Sequence, residues 1–211
     1  FPEGGALLTV AHQNIAFKAQ GSDGFSTEIE GFLFDANGDT LTAFRSEHDG
    51  MGVFTLNPTV GNSYYVIAKS GDGISKRFDL PAVEEKGITL SMTHYKKEIR
   101  YEIQKTEATE WPQKLFLIAH TRGKLVILQP VSVDRTFGRM NDSLFNAGIT
   151  HFMLIDQQGN ALSECLVFIP DRNPHQWQIL ADKPTYGKRE KVSLQISAKD
   201  DNGTPVEGSF S

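Results

Sequence analysis

Apolar residues along this chain recur in short runs that alternate with polar ones, a period of two rather than the three-to-four spacing of an amphipathic helix. Runs at 15–19, 29–34, 40–44, 52–56, 63–68, 74–80 and 87–92 are separated by Gly, Asn and Asp. The pair at 29–34 and 40–44 flanks Asp35-Ala36-Asn37-Gly38, the signature of a hairpin with an Asx/Gly loop. Regularly spaced short strands of this kind predict a β-sandwich over residues 1–92. The best helical candidate, 102–111, is charged and Thr-rich and lacks a continuous apolar stripe.

The rhythm then restarts. Runs at 99–103, 114–120, 124–131, 132–137, 148–155 and 161–169, with turns at Thr121-Arg122-Gly123 and Asp156-Gln157-Gln158-Gly159, predict a second sandwich over 93–181. A third start at 182 leads through a run at 191–198 to Asp200-Asp201-Asn202-Gly203 and a last alternating run at 206–211. The expected fold is all-β, tandem immunoglobulin/fibronectin-like β-sandwich domains, with 182–211 as the first hairpin of a third. A lone hairpin is marginal in water, so this tail is expected to pack on the second domain or on a sheet edge of another copy. The stretch 90–97 has no Gly/Ser/Pro run, which predicts a short, stiff junction there. The chain opens on Phe1 rather than Met and stops in mid-pattern, so it reads as a segment of a longer protein.

Composition narrows the function. Of 211 residues, 39% are apolar and 22% charged, enough apolar surface for packed cores. The net charge is −5 with no Lys/Arg block, so binding driven by phosphate neutralisation, and with it nucleic acid, is not expected. No apolar run reaches the roughly 20 residues of a membrane helix, and direct membrane insertion is not expected. A single cysteine excludes an internal disulfide framework and any multi-cysteine zinc site.

Candidate chemistry is sparse. Cys165 shares strand parity with Val167 and Ile169, which predicts an inert thiol turned towards the core. The six histidines (12, 48, 94, 120, 151, 175) show no metal-ligand spacing. Asp35, Asn37 and Asp39 stand at the first, third and fifth positions of a calcium-type loop, but Thr40 and Ser46 replace its Gly and bidentate Glu. A plain turn uses the same residues. His48-Asp49 precedes Gly50 and reads as turn chemistry, and Glu84-Glu85 as a solvated loop. Nucleophile-elbow and phosphate-loop motifs are absent, so no catalytic residue is assigned, no cofactor is expected, and the chain is expected not to be an enzyme. Trp111, Trp177 and Tyr64 are the candidate ligand-stacking aromatics, with seam or core packing as the competing role. Tyr64 and its neighbour Tyr65 must point to opposite faces.

Several segments carry a resemblance. Phe1-Pro2-Glu3-Gly4-Gly5, Ala16-Phe17-Lys18, His48-Asp49-Gly50-Met51-Gly52-Val53-Phe54 and Leu80-Pro81 resemble the macroglobulin-type (alpha-macroglobulin-like) β-domains of large Bacteroidetes envelope proteins. Ser163-Glu164-Cys165-Leu166-Val167-Phe168 looks like a Glu-Arg-Leu-Val-Phe stretch of those proteins, with Cys165 in place of Arg. The run Lys183-Pro184-Thr185-Tyr186-Gly187 resembles the opening of the next such domain. Gly31, Asp35, Gly38, Gly52, Phe54 and Tyr65 also make the first domain similar to carboxypeptidase-regulatory modules. The resemblance implies immunoglobulin-like sandwiches without catalytic residues, in an exported protein of the periplasm or outer-membrane surface. The thioester motif of alpha-macroglobulins is absent. The expected function is that of a structural or interaction segment, a rigid spacer or scaffold between neighbouring domains. The alternative is a ligand- or glycan-binding or adhesion module that uses sandwich-end loops or sheet-edge strand addition. Expected partners are the neighbouring domains and an envelope protein or glycan.

Overall fold

The computed structural model describes residues 1–172, 176–200 and 202–206, and it divides into two units, Phe1–Ile169 and Pro170–Ser211. Two sandwiches share the first unit. The first comprises β1 (Gln13–Lys18), β2 (Ile29–Asp35), β3 (Thr40–Arg45), β4 (Met51–Leu56), β5 (Tyr64–Ser70) and β6 (Ser75–Asp79). They form an antiparallel sheet in the order β3-β2-β5-β6 and a pair β1-β4. Period-two alternation turns Leu33, Phe44, Tyr64 and Ala68 of the first sheet towards Ile15, Phe54 and Leu56 of the second. Phe44 sits at the centre, with the Phe17 and Phe54 rings 5.1 and 5.3 Å away.

The second sandwich comprises β7 (Ile88–Tyr95), β8 (Glu98–Lys105), β9 (Leu115–Thr121), β10 (Lys124–Val131), β11 (Phe137–Asn141), β12 (Gly148–Asp156) and β13 (Ala161–Ile169), with a 3-10 turn at Asp142–Leu144. Its sheets run β10-β9-β12-β13 and β11-β8-β7. Leu90, Ile99, Leu117, Phe152, Leu154 and Ile169 are fully buried between them. Two hydroxyls are accommodated in this interior by bonding each other, Thr121 Oγ1 to Thr150 Oγ1 at 2.8 Å. The His94 ring lies 3.2 Å from both the Phe168 carbonyl and the Asp142 carboxylate, joining β7, β13 and the 3-10 turn.

The expected boundaries move. Residues 88–95 form a strand of the second sandwich, because Ile88 and Leu90 insert into its core, and the stretch 90–97 is therefore not the junction. The crossing lies at residues 80–87, where Glu84 N donates to Leu7 O and Leu8 bridges Glu84 in parallel fashion. The second sandwich ends at Ile169, not 181, since β14 (Gln176–Ala181) pairs with β15 (Leu194–Lys199) in the other unit. Residues 102–105 finish β8 rather than starting a helix, and no α-helix occurs among the described residues. The run at 132–137 is a turn whose strand begins only at Phe137. The run at 206–211 lies, from 207 on, outside the described residues.

The Asp-x-x-Gly loops that begin at Asp35, Asp156 and Asp200 make one turn three times. The Asp35 Oδ1 accepts from the N–H groups of Asn37 and Asp39, each at 2.9 Å. Asp156 does the same with Gln158 and Asn160, and Asp200 with Asn202 and Thr204. The fourth residue takes φ of +88°, +85° and +81° at Gly38, Gly159 and Gly203, the left-handed region that only glycine enters without strain.

The register assigns Phe152 inward and Phe168 outward, the latter 66% exposed. Urea unfolding should show Phe152→Ala losing about 3–5 kcal/mol, against less than about 1 kcal/mol for Phe168→Ala. Equal losses would contradict this register.

Candidate functional site

The N-terminal segment Phe1–Gly5 holds the two sandwiches of the first unit together. It lies along β1, with Glu3 N donating to Asn14 O at 2.8 Å and Pro2 bridging Ile15. Gln13, buried, fixes its path: Nε2 donates to the carbonyls of Glu3 (2.8 Å) and Ala6 (2.6 Å), and Oε1 accepts from Leu8 N (2.9 Å). A buried amide with all these partners specifies one backbone course, since an unmade bond there would carry a desolvation cost.

From this anchored position Glu3 reaches across to the second sandwich. Its Oε2 accepts from Asn14 Nδ2 at 2.9 Å, while Oε1 accepts from Met92 N at 3.0 Å. Thr89 Oγ1 donates to the Glu3 carbonyl and Ser163 Oγ donates to the Gly4 carbonyl; the same Ser163 oxygen accepts from Leu90 N at 2.9 Å. β7 and β13 are both edge strands of their sheets, and Leu90 and Met92 are alternate residues of β7 whose N–H groups point away from β8. Edge N–H groups need acceptors or cover; Glu3 and Ser163 supply the acceptors. Gly4 has to be glycine: its φ is +84°, and a Cβ would come within 2.1 Å of Thr89 Oγ1 and 2.8 Å of Ser163 Oγ.

Cys165 borders this network, packed on the second core with Sγ 3.8 Å from Glu3 Oε1. Burial, and then the Glu3 charge and its hydrogen bond, push the thiol up to about 12. A thiol held protonated is a poor nucleophile.

The other candidates are dispersed. Tyr64 is a core residue whose hydroxyl lies 3.0 Å from Thr59 N and 3.1 Å from Thr59 Oγ1, so it offers no ring to a ligand. Tyr65 takes the opposite face, as alternation requires. Trp111 packs against the second core, with Lys105 Nζ 6.0 Å from its ring. Trp177 is half exposed on β14, in the other unit. Asp35 spends its carboxylate on the turn, accepting from Asn37 Nδ2 as well as from the two N–H groups. Among the described residues no group of three His, Cys, Asp or Glu side chains is placed to hold a metal. His48 and Asp49 pair at 3.2 Å on an exposed turn, and His175 lies outside the described residues.

A second surface feature is one that the sequence left unmarked. The outer face of the β3-β2-β5-β6 sheet carries an open groove of about 720 Å³, with Phe32, Val53 and Ile67 along it and Glu30, Arg45 and Lys69 among its charges. Beside it Phe34 stacks on Tyr65 (5.1 Å between centroids, 13° between planes), and the Arg77 guanidinium lies 3.6 Å from the Tyr65 centroid, a cation–π stack. Strand parity groups Phe32 with Phe34 and Tyr65 with Ile67, and the β2–β5 register sets the two pairs on one face. Glu3, Gln13 and Ser163 carried no comparable signal, since their partners lie up to 162 residues away.

No family model and no curated protein matches the chain. Among solved structures it is similar to invasin, a bacterial integrin-binding protein, at 13% identity over 99% of this chain and 47% of that one, with a TM-score of 0.33. It is also similar to the native conformation of E. coli alpha-2-macroglobulin, at 13% identity over 97% of this chain and 17% of that one, with a TM-score of 0.30. The chain thus spans about half the length of the first and a small part of the second.

The Cys165 environment fixes a pH dependence. An unfolded thiol ionises near 9.0 and the folded one near 12, so the unfolded chain releases its proton first. Stability is full below about pH 9 and falls as pH rises from there towards 12; Cys165→Ser should flatten that fall in unfolding titrations. At pH 8 a thiol reagent should label Cys165 slowly in the folded protein and fast in urea.

Proposed function

We propose that the chain is a non-catalytic structural and interaction module whose first two sandwiches act as one rigid spacer. The reading extends to a macroglobulin-like segment of a larger exported bacterial protein, in the periplasm or at the outer-membrane surface, with the neighbouring domains as its first partners. The observation that carries the spacer reading is Glu3: one carboxylate accepts from Asn14 of the first sandwich and from Met92 of the second. Flexibly linked domains leave their shared edges to water, whereas here the Met92 N–H is closed by a side chain of the N-terminal segment held on the first sandwich. The raised thiol of Cys165 favours a non-catalytic role. The family and location rest on the Phe-Pro-Glu-Gly-Gly, Gly-Met-Gly-Val-Phe and Leu-Pro elements.

A second reading, binding of a glycan or an envelope protein, is favoured by the groove of the first sandwich. Its aromatic and aliphatic floor with charged flanks suits an amphipathic ligand better than the dispersed tryptophans do.

For the spacer, calorimetry of the whole chain should show the two sandwiches melting together. Glu3→Ala, which leaves Met92 N–H without its charged acceptor, should cost about 2 kcal/mol and split the transition, and Gly4→Val should do the same more severely. A single, unsplit transition in both variants would defeat the spacer reading. For the groove, a saturating glycan should raise stability by about 2.7 kcal/mol at a hundred times its dissociation constant, and Phe32→Ala should abolish the shift. Persistence of the shift in Phe32→Ala would place binding elsewhere.

A further inference from the structure

We propose that the outer face of the β10-β9-β12-β13 sheet is the contact surface for a second copy of this chain, the two sheets packing face to face about a two-fold axis. A sheet with one wet face alternates apolar and polar, whereas a sheet covered on both faces is apolar at both parities. β9, β12 and β13 are of the second kind. Their inward residues, such as Leu117, Phe152 and Val167, fill the core. Their outward residues include Ile118, Met153 and Leu166, which the inward ones leave on the opposite surface.

That surface is exposed. Leu125, Leu128, Ile149, Leu166 and Phe168 are between 56% and 66% exposed, and the pairing sets Ile149 opposite Phe168 and Leu128 opposite Ile118. At about 200 Å² for a large apolar side chain, these five expose roughly 600 Å². The half-buried Ile118 and Met153 lie between them. A monomer's largest apolar patch is about 300–600 Å², and a standard stable interface takes about 800 Å² from each partner.

Charge selects the occupant. By register, the outward positions of the four strands hold no Lys or Arg, and the one carboxylate, Glu164, bonds His151 Nε2 at 2.9 Å. The His151 ring in turn meets His120 edge-on at 5.0 Å. The face holds no cation, and its one carboxylate enters a contact already hydrogen-bonded to His151. An apolar surface whose one carboxylate is hydrogen-bonded within the face is complementary to itself, as an isologous dimer requires. The outer face of the first sandwich, with Glu30, Arg45 and Lys69 among its apolar residues, lacks this property.

Sedimentation equilibrium of the whole chain from about 1 to 200 µM, the weak end for an interface of this size, should show a reversible rise from 23.4 kDa to twice that mass. Leu166→Lys on β13 and Leu125→Lys on β10, both at exposed positions and checked for an unchanged melting temperature, should each weaken association roughly thirty-fold or more. Phe32→Glu, on the first sandwich, should leave it unchanged. A chain monomeric throughout the range overturns the proposal and reserves the face for a different partner. A dimer that survives both lysine variants overturns it by placing the contact elsewhere.

Discussion

The Glu3 carboxylate is the interaction on which the arrangement of the first unit depends. Two sandwiches that meet at strand edges must provide for those edges, since an edge N–H without an acceptor is costly once water is displaced. Here Met92 N–H takes Glu3 Oε1, Leu90 N–H takes the Ser163 hydroxyl, and that hydroxyl gives its own proton to the Gly4 carbonyl. Each group satisfies a neighbour and is satisfied in turn. The buried Gln13 amide makes the set possible, because it holds the N-terminal segment on β1 at the height where Glu3 meets β7. The Cys165 thiol lies beside the same carboxylate, and its ionisation is raised first by burial and then by the Glu3 charge.

The two sandwiches treat their outer faces differently. In the first, charged residues interleave with Phe32 and Ile67, and the Phe34–Tyr65–Arg77 stack covers its aromatics with a cation. In the second, both parities of β9, β12 and β13 are apolar, and the single carboxylate is tied to a histidine. The first face carries both signs of charge, the second a single carboxylate. The two sandwiches are thus unequal in what they present outward.

Strand periodicity and turn chemistry are local, and they were legible along the chain. The alternation at 29–34 and 40–44 around Asp35 is the hairpin of β2 and β3, and the recurrence of Asp-x-x-Gly at 156 and 200 marks the same turn, because an Asx oxygen and a glycine at positive φ act within five residues. The parity of Cys165 with Val167 and Ile169 likewise placed the thiol against the core. What periodicity cannot carry is membership: the run at 87–92 looks the same whichever core it enters, and only the insertion of Ile88 and Leu90 among Leu117 and Phe152 assigned it to the second sandwich. Tyr64 could be told from Tyr65 only as facing the other way, and the choice of which ring is buried belonged to the opposing sheet. The seam was wholly tertiary. Glu3, Gln13 and Ser163 are ordinary polar residues in sequence, and their role arises because folding brings together groups up to 162 positions apart where an edge N–H has no other acceptor.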